Sequence, residues 1–251
     1  MRFWILRVVF LMLVSVGPAG AENVEPLRLL TEDLRPYAYY EGGTLTGISV
    51  ELVQAIEKRL GTPAPIIVEP WARGLADASR GGNVALFTTA KTAERAALFR
   101  WVGPIVVTRS FFFKARTSGI LVPSLAAAKE LSVAVARGYP SQAALLRQGF
   151  AHIQDCNDEA TTWRLVGNGR ADLAVGGELT AENNWIKAGF RPHDFERVGP
   201  PLSESVRYIA FSRKAPLAEV EAWQRAWTAI QNDGTWAAIL RKFHLSALTP
   251  E

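Results

Sequence analysis

Short apolar runs alternate with helix-period segments from residue 27 to residue 189, and this alternation does most to narrow what the chain can fold into. "LRLLTE" (27–32) reads as a strand. "SVELVQAIEKRLG" (49–61) places Val53, Ile56 and Leu60 on one helical stripe, with Ser49 as N-cap and Gly61 as stop. A strand at 65–70, a short helix at 75–82, a strand at 84–89 and a helix from Thr92 to Phe99 follow. The theme then repeats with a strand at 131–137, helices at 141–149 and 158–169, a strand at 171–177 and a helix at 178–189. Such an order predicts an α/β protein with mostly parallel strands.

"SFFFKA" (110–115) and "RYIAFSR" (207–213) bracket the second block, and no low-complexity linker divides the chain. Two lobes would therefore have to be joined by two short crossings. In the tail, Leu217, Val220, Trp223, Trp227 and Ile230 recur at helical spacing. Asn232-Asp233-Gly234 reads as a turn, and a last helix (235–243) presents Trp236, Leu240 and Phe243. With 251 residues, 49% of them hydrophobic and 21% charged, the chain can bury real cores and is not a disordered composition.

The amino end has a different character. "MRFWILRVVFLMLVSVGPAGA" has arginines at 2 and 7, an apolar run and Ala19-Gly20-Ala21, the pattern of a secretory signal cut after residue 21. The run from Val8 to Val16 is short for a membrane span. Loss of Arg2 and Arg7 would lower the formal charge from +4 to +2. No basic run interleaves with aromatics, which argues against nucleic acid as a partner. Cys156 is alone and forms no internal disulfide. His152, His193 and His244 lack metal-ligand spacing, so neither a metal nor a cofactor is expected.

Four stretches in order, opening at "PYAYY" (36–40), "VALFTT" (84–89), "VGNGRADL" (166–173) and "NDGTW" (232–236), resemble the bacterial extracellular solute-binding proteins of family 3, periplasmic receptors of polar amino acid ABC transporters. "PYAYYEGGTLTGISVELVQAIEKRLG" is similar to the family's opening. "VALFTTAKTAERAALFRWVGPIVVT" is similar to its T-x-T-x-E-R signature. "VGNGRADLAVGG" and "NDGTWAAILRKF" resemble its later G-R-x-D and closing D-G-T segments. The resemblance implies two α/β lobes, joined by two strand crossovers, that close on a small ligand. Lobe 1 would hold residues 22–107 and 208–251, and lobe 2 residues 108–207. The crossings would fall near Val107–Ser110 and Ser205–Tyr208.

The same resemblance implies a site. Arg95 would clamp a ligand carboxylate, since a guanidinium fork matches a carboxylate bidentately. Thr88 and Thr89 would meet that carboxylate from the turn before it, with Ala90 standing where the family usually has a further threonine. Tyr37 and Trp71 would wall the ligand side chain, and Arg73 could serve a second acid. From lobe 2, Tyr139, Ser141 and Gln142 lie in a strand-to-helix loop whose free backbone donors would point into the cleft. Family members commonly place aspartate, for the ligand ammonium, where Gly177 stands; here the carboxylate has moved to Glu178.

The expectation is a monomeric periplasmic receptor for a small carboxylate-bearing solute, delivering it to an inner-membrane ABC permease. Two alternatives belong to other classes. A dehydratase-like enzyme on this fold would need a general acid or base, for which Glu178 is the good candidate, but no nucleophile–base pair is evident. A sensory module would need a separate membrane partner.

Overall fold

The computed structural model describes residues 25–243 and 245. From the amino end come β1 (Arg28–Thr31), a hairpin of β2 (Tyr39–Glu41) and β3 (Thr44–Thr46), α1 (Ile48–Leu60), β4 (Ile66–Val68), α2 (Trp71–Arg80), β5 (Val84–Ala90) and the short α3 (Ala93–Ala96). β4 and β5 flank β1 in parallel, with Leu29 opposite both Ile66 and Ala85. The chain then runs out along the 17-residue β6 (Phe99–Ala115). It builds α4 (Leu125–Lys129), β7 (Val133–Ala136), α5 (Pro140–Arg147), β8 (Ile153–Cys156), α6 (Glu159–Gly167), β9 (Leu173–Gly177) and α7 (Ala181–Lys187). It returns along the 18-residue β10 (Phe195–Ser212) and ends in α8 (Leu217–Asn232) and α9 (Thr235–Lys242).

These strands make one eight-stranded sheet in the order β4-β1-β5-β10-β6-β9-β7-β8. β6 and β10 pair antiparallel and carry the sheet from one lobe into the other, with Val107 opposite Val206 and Thr108 opposite Ser205. Their register shifts between Val198 and Ser203 and again between Arg207 and Ile209. Each lobe is thus half of the sheet with helices on both faces, the two-lobe α/β fold expected of the sequence.

Lobe 1 closes its main core with residues from both ends of the chain. Leu29, Ile48 and Phe87 pack in one cluster with Phe211, Trp223, Trp227 and Trp236. Burying each such side chain contributes about 1.5–3 kcal/mol. Lobe 2 has one core on each face of its half-sheet. Trp163 sits edge-on to Phe113, Trp185 and Phe195 on one face, while Phe112, Val135, Leu145 and Phe150 fill the other. Cys156 is buried in the first of these, and burial pushes its thiol pKa up.

Several local expectations change. The segments 110–115 and 207–213 are parts of β6 and β10, whose length is hidden because Gly103-Pro104 and Gly199-Pro200-Pro201 interrupt the apolar pattern. The helix expected over 92–99 stops at Ala96, and Phe99 already belongs to β6. The helix placed at 75–82 begins at Trp71, and that placed at 178–189 begins at Ala181. Ser49 is not a cap but a buried residue inside α1. The first-turn N–H groups of Ile48 and Ser49 donate instead to the carbonyls of Pro36 and Tyr37, at 3.0 and 2.9 Å. Gly47 makes this possible. Its φ is +123°, and a Cβ there would lie 2.4 Å from the Tyr37 carbonyl oxygen. Tyr37 is therefore seated by the amino end of α1.

Candidate functional site

The segments that follow β1, β7 and β9 meet between the lobes, at the carboxyl ends of their strands, where open α/β sheets bind ligands. Two adjoining chambers lie there. The larger, about 260 Å³, is lined by Glu32, Asp33, Pro70, Trp71, Arg137, Asp158, Asn184 and Lys187 among others. The smaller, about 30 Å³, is lined by Tyr37, Thr108, Arg109, Ser141, Gly177, Glu178 and Arg207 among others. Leu34, Tyr139 and Glu159 face both.

Arg95 does not lie on an exposed helix face; it is buried at 8% exposure behind the larger chamber. Its guanidinium stacks on Trp71, 5.0 Å from the ring centroid. Nη1 donates to the Ala90 carbonyl at 3.4 Å and Nη2 to the Gly138 carbonyl of lobe 2 at 2.6 Å. Burial, and then the charge of Arg207, bring its pKa down to about 10, which still leaves it protonated at neutral pH. Two of its five donors are thereby used, and it ties the lobes across the cleft.

Thr88 and Thr89 lie not in a turn after the strand but inside β5, which runs on to Ala90, and Thr88 has φ +61°, a left-handed conformation costly for a β-branched residue. Its Oγ1 is enclosed without a hydrogen-bond partner. Thr89 spends its hydroxyl on the Leu86 carbonyl at 2.8 Å. Neither threonine lines a chamber, nor do Arg95 and Gln142, nor Arg73, which is exposed on α2.

Tyr37 is buried, and burial raises its hydroxyl pKa to about 12. Trp71 and Tyr139 wall the larger chamber, their ring centroids 6.2 Å apart. The loop expected to present free donors is largely satisfied by itself. Pro140 occupies the first turn of α5, where it removes one N–H. Gln142 accepts from the Gly138 N–H at 2.8 Å and donates to Asp155 at 2.7 Å. Ser141 is buried and faces the smaller chamber. Glu178 also lines that chamber. Its Oε1 accepts the Arg109 backbone N–H at 3.2 Å, extending the ladder between β6 and β9.

Among the lining residues that escape the sequence reading, Glu32, Glu159 and Arg207 have the most perturbed or most engaged charges. Glu32 follows β1 and accepts the Tyr139 hydroxyl at 2.8 Å. Burial raises its pKa, against the bond from Tyr139 and the charge of Arg207. Glu159 opens α6, and its Oε2 is enclosed together with Asn184 Nδ2 and the Trp163 indole nitrogen. Burial, and then the charge of Glu32, push it up to about 8, although Asn184 and the Trp163 indole favour its charged form. Arg207, in β10, donates from Nε to the Thr108 hydroxyl at 3.2 Å. The acids after "LRLLT" and "CND" gave only a strand end and a helix cap to read, and Arg207 sits inside an apolar-flanked strand.

Of the histidines, His152 and His193 are exposed, whereas His244 lies outside the described residues. Among the described residues no helix is long and apolar enough to cross a membrane. The signal pattern of residues 1–21 falls outside them.

A search of curated proteins finds no match. Among solved structures, a histidine kinase sensor domain with similarity to periplasmic binding proteins superposes with TM-score 0.79 at 18% identity, covering 91% of this chain and 99% of that one. The arginine-, lysine-, histidine-binding protein ArtJ from Geobacillus stearothermophilus superposes with TM-score 0.74 at 16% identity (87% and 94% covered). Holo ArgBP from T. maritima does so with TM-score 0.71 at 17% identity (87% and 95%). At these identities the likeness concerns the fold. The family itself is carried by the sequence: residues 27–246 match the bacterial extracellular solute-binding proteins, family 3, and the chain belongs to that family of binding proteins.

Proposed function

We propose that this chain is an exported, monomeric receptor that closes two lobes, residues 22–107 with 208–251 and residues 108–207, on a small polar solute bearing a carboxylate, and delivers it to an inner-membrane ABC permease. The observation that carries this reading is Arg95, buried on the Trp71 ring and reaching the Gly138 carbonyl across the cleft. A solute carboxylate that takes the place of that carbonyl gains a charge-assisted, bidentate partner already in position. Thr88, seven residues before Arg95, keeps an unpartnered hydroxyl on a strained backbone that a rearrangement on closure would free. Glu178 and Tyr37 then face the solute from the smaller chamber.

The test is a thermal-shift screen of the mature protein against amino acids, dicarboxylates, polyamines and cyclic acids, repeated with Arg95→Lys. A ligand that binds the native state alone raises stability by about 2.7 kcal/mol at a hundredfold excess over Kd. Hits that carry a carboxylate and weaken in Arg95→Lys support the clamp; hits indifferent to it remove the clamp.

A sensory role has a supporting observation of its own, the superposition on a histidine kinase sensor domain over 99% of that domain. Co-purification of the loaded protein with a permease, rather than with a signalling protein, separates the two roles.

A further inference from the structure

The loop between β7 and α5 satisfies its own donors and turns what is left towards lobe 1. The Gly138 N–H goes to Gln142 Oε1 at 2.8 Å and the Tyr139 N–H to the Ala136 carbonyl at 3.4 Å, while Pro140 has no N–H. Gly138 holds φ +78°, in the left-handed region that glycine enters at no steric cost. So turned, its carbonyl meets Arg95 Nη2 at 2.6 Å. The next residue reaches lobe 1 with its side chain. The Tyr139 hydroxyl donates to Glu32 at 2.8 Å, and its ring centroid lies 6.2 Å from that of Trp71. Burial, and then the charge of Glu32, hold this phenol well above its ordinary pKa, so it stays a donor at neutral pH. Tyr139 also faces both chambers and forms part of the wall they share. Two consecutive residues of lobe 2 thus engage an arginine, an acid and an aromatic face of lobe 1, the groups that a solute entering the cleft would need.

We propose that Gly138 and Tyr139 are a built-in occupant of the cleft: they hold the lobes together in the ligand-free protein, and a solute binds by displacing the Gly138 carbonyl from Arg95 and the Tyr139 hydroxyl from Glu32. The inference rests on the receptor reading above and concerns the regulation of its site. A carbonyl oxygen is an uncharged, single acceptor, so a carboxylate, charged and with two oxygens, outcompetes it on a guanidinium. The loop compensates by being tethered, which gives it a high effective concentration at its target. Solute affinity is then lowered by the fraction of molecules in which the loop still occupies the site. Lys187 and Asp33 provide the contrast. Their ion pair at 3.0 Å also crosses the cleft, but it is made by α7 and the segment after β1, away from the loop, so a solute need not break it. Contacts that the solute must break and contacts that closure keeps act on affinity with opposite sign.

The experiment pairs titration calorimetry with a distance between the lobes. The calorimetric probes are L-glutamate, L-lysine and succinate, each of which carries a carboxylate. The distance is read by spin labels at Lys58→Cys and Arg164→Cys, exposed positions on α1 and α6; Cys156, 2% exposed, stays unlabelled in the folded protein. Without probe, one short distance should dominate in the parent, and Tyr139→Phe, which keeps the ring, should add a longer one. Tyr139→Phe should bind a probe about threefold to tenfold more tightly than the parent, whereas Lys187→Met should bind it more weakly. If Tyr139→Phe binds the probe no more tightly than the parent, Tyr139 is not a competitor, and the built-in occupant is overturned while the receptor reading stands. Identical probe-free distances in parent and Tyr139→Phe overturn it as well, whether or not a probe binds. A longer distance in Tyr139→Phe, with none of the three probes bound by either protein, supports the loop as the group that holds the lobes and tells against the carboxylate clamp.

Discussion

The Tyr139 hydroxyl donates to Glu32 at 2.8 Å, joining residues 107 positions apart across the cleft. Lys187 reaches Asp33 and Arg95 reaches Gly138 in the same way, so three polar bridges span the lobes. Tyr139→Phe removes one hydroxyl and leaves an enclosed carboxylate oxygen without its donor, a loss of about 1–3 kcal/mol. The variant should be more open, with a larger radius of gyration in solution scattering and a lower Tm. An unchanged profile would mean that this bridge does not hold the lobes together.

Closure itself makes a second prediction. If the lobes move about β6 and β10 near Val107–Ser110 and Ser205–Tyr208, a saturating ligand should shrink the radius of gyration of the parent protein. A tight ligand that leaves scattering unaltered argues for a rigid cleft.

Arg95→Ala should do two things at once. Binding of a carboxylate ligand should weaken at least thirtyfold, about 2 kcal/mol at 1.4 kcal/mol per decade. Stability should also fall, by roughly 1–2 kcal/mol, because a buried side chain that bonds two carbonyls and packs on Trp71 is lost. A surface arginine would change stability by only about 0.5 kcal/mol. Calorimetry and denaturant melts on the same preparation read both effects.

Glu159 predicts a pH dependence. Its pKa in the folded protein is raised to about 8 from an ordinary value of 4.5, so between those values the folded state holds a proton that the unfolded chain has lost. Stability should therefore be greatest below the ordinary value and fall as pH rises towards 8, by up to about 1.4 kcal/mol per pH unit. Glu159→Gln should flatten that decline and raise Tm near pH 8. Urea melts at pH 5, 6.5 and 8 measure it; equal slopes in parent and variant would show that Glu159 is not the group responsible.

Gly177 tests how much room the fold leaves for a side chain where the family resemblance would put aspartate. A Cβ at this position would lie 2.7 Å from Thr180 Oγ1, in a residue only 8% exposed. Restoring the family aspartate with Gly177→Asp should thus cost about 1–3 kcal/mol through overpacking. Adding Thr180→Ala should return part of that loss. A single variant as stable as the parent in thermal melts would show that Thr180 yields freely.

The sequence conveys the fold well because α/β alternation is a local pattern: apolar runs such as "VALFTT" and stripes such as Val53–Ile56–Leu60 announce their own elements. The strands that cross between lobes are less legible. β6 and β10 are punctuated by Gly-Pro pairs and charged residues, and what makes them strands is their partnership with each other. The site divides in the same way. Arg95, Tyr139 and Trp71 are found through motif and aromatic character. Glu32 and Glu159 are not, because an acid after a strand and an acid opening a helix are ordinary features until two lobes bring them together. Arg73 illustrates the converse, a charged residue beside Trp71 in sequence that the turn of α2 points to solvent.

The core of lobe 1 draws on Leu27 and Leu29 at one end of the chain and on Trp236 and Leu240 at the other. Three of its tryptophans arrive only with α8 and α9. During synthesis, then, residues 27 to 80 emerge without the α8 and α9 side chains that complete their main core, while the second lobe, whose two cores use residues 111 to 202, has all of its core residues. The last helices act as the key that locks the amino-terminal half, and a chain cut before Leu217 leaves that half unable to shelter itself from proteases or from its own copies.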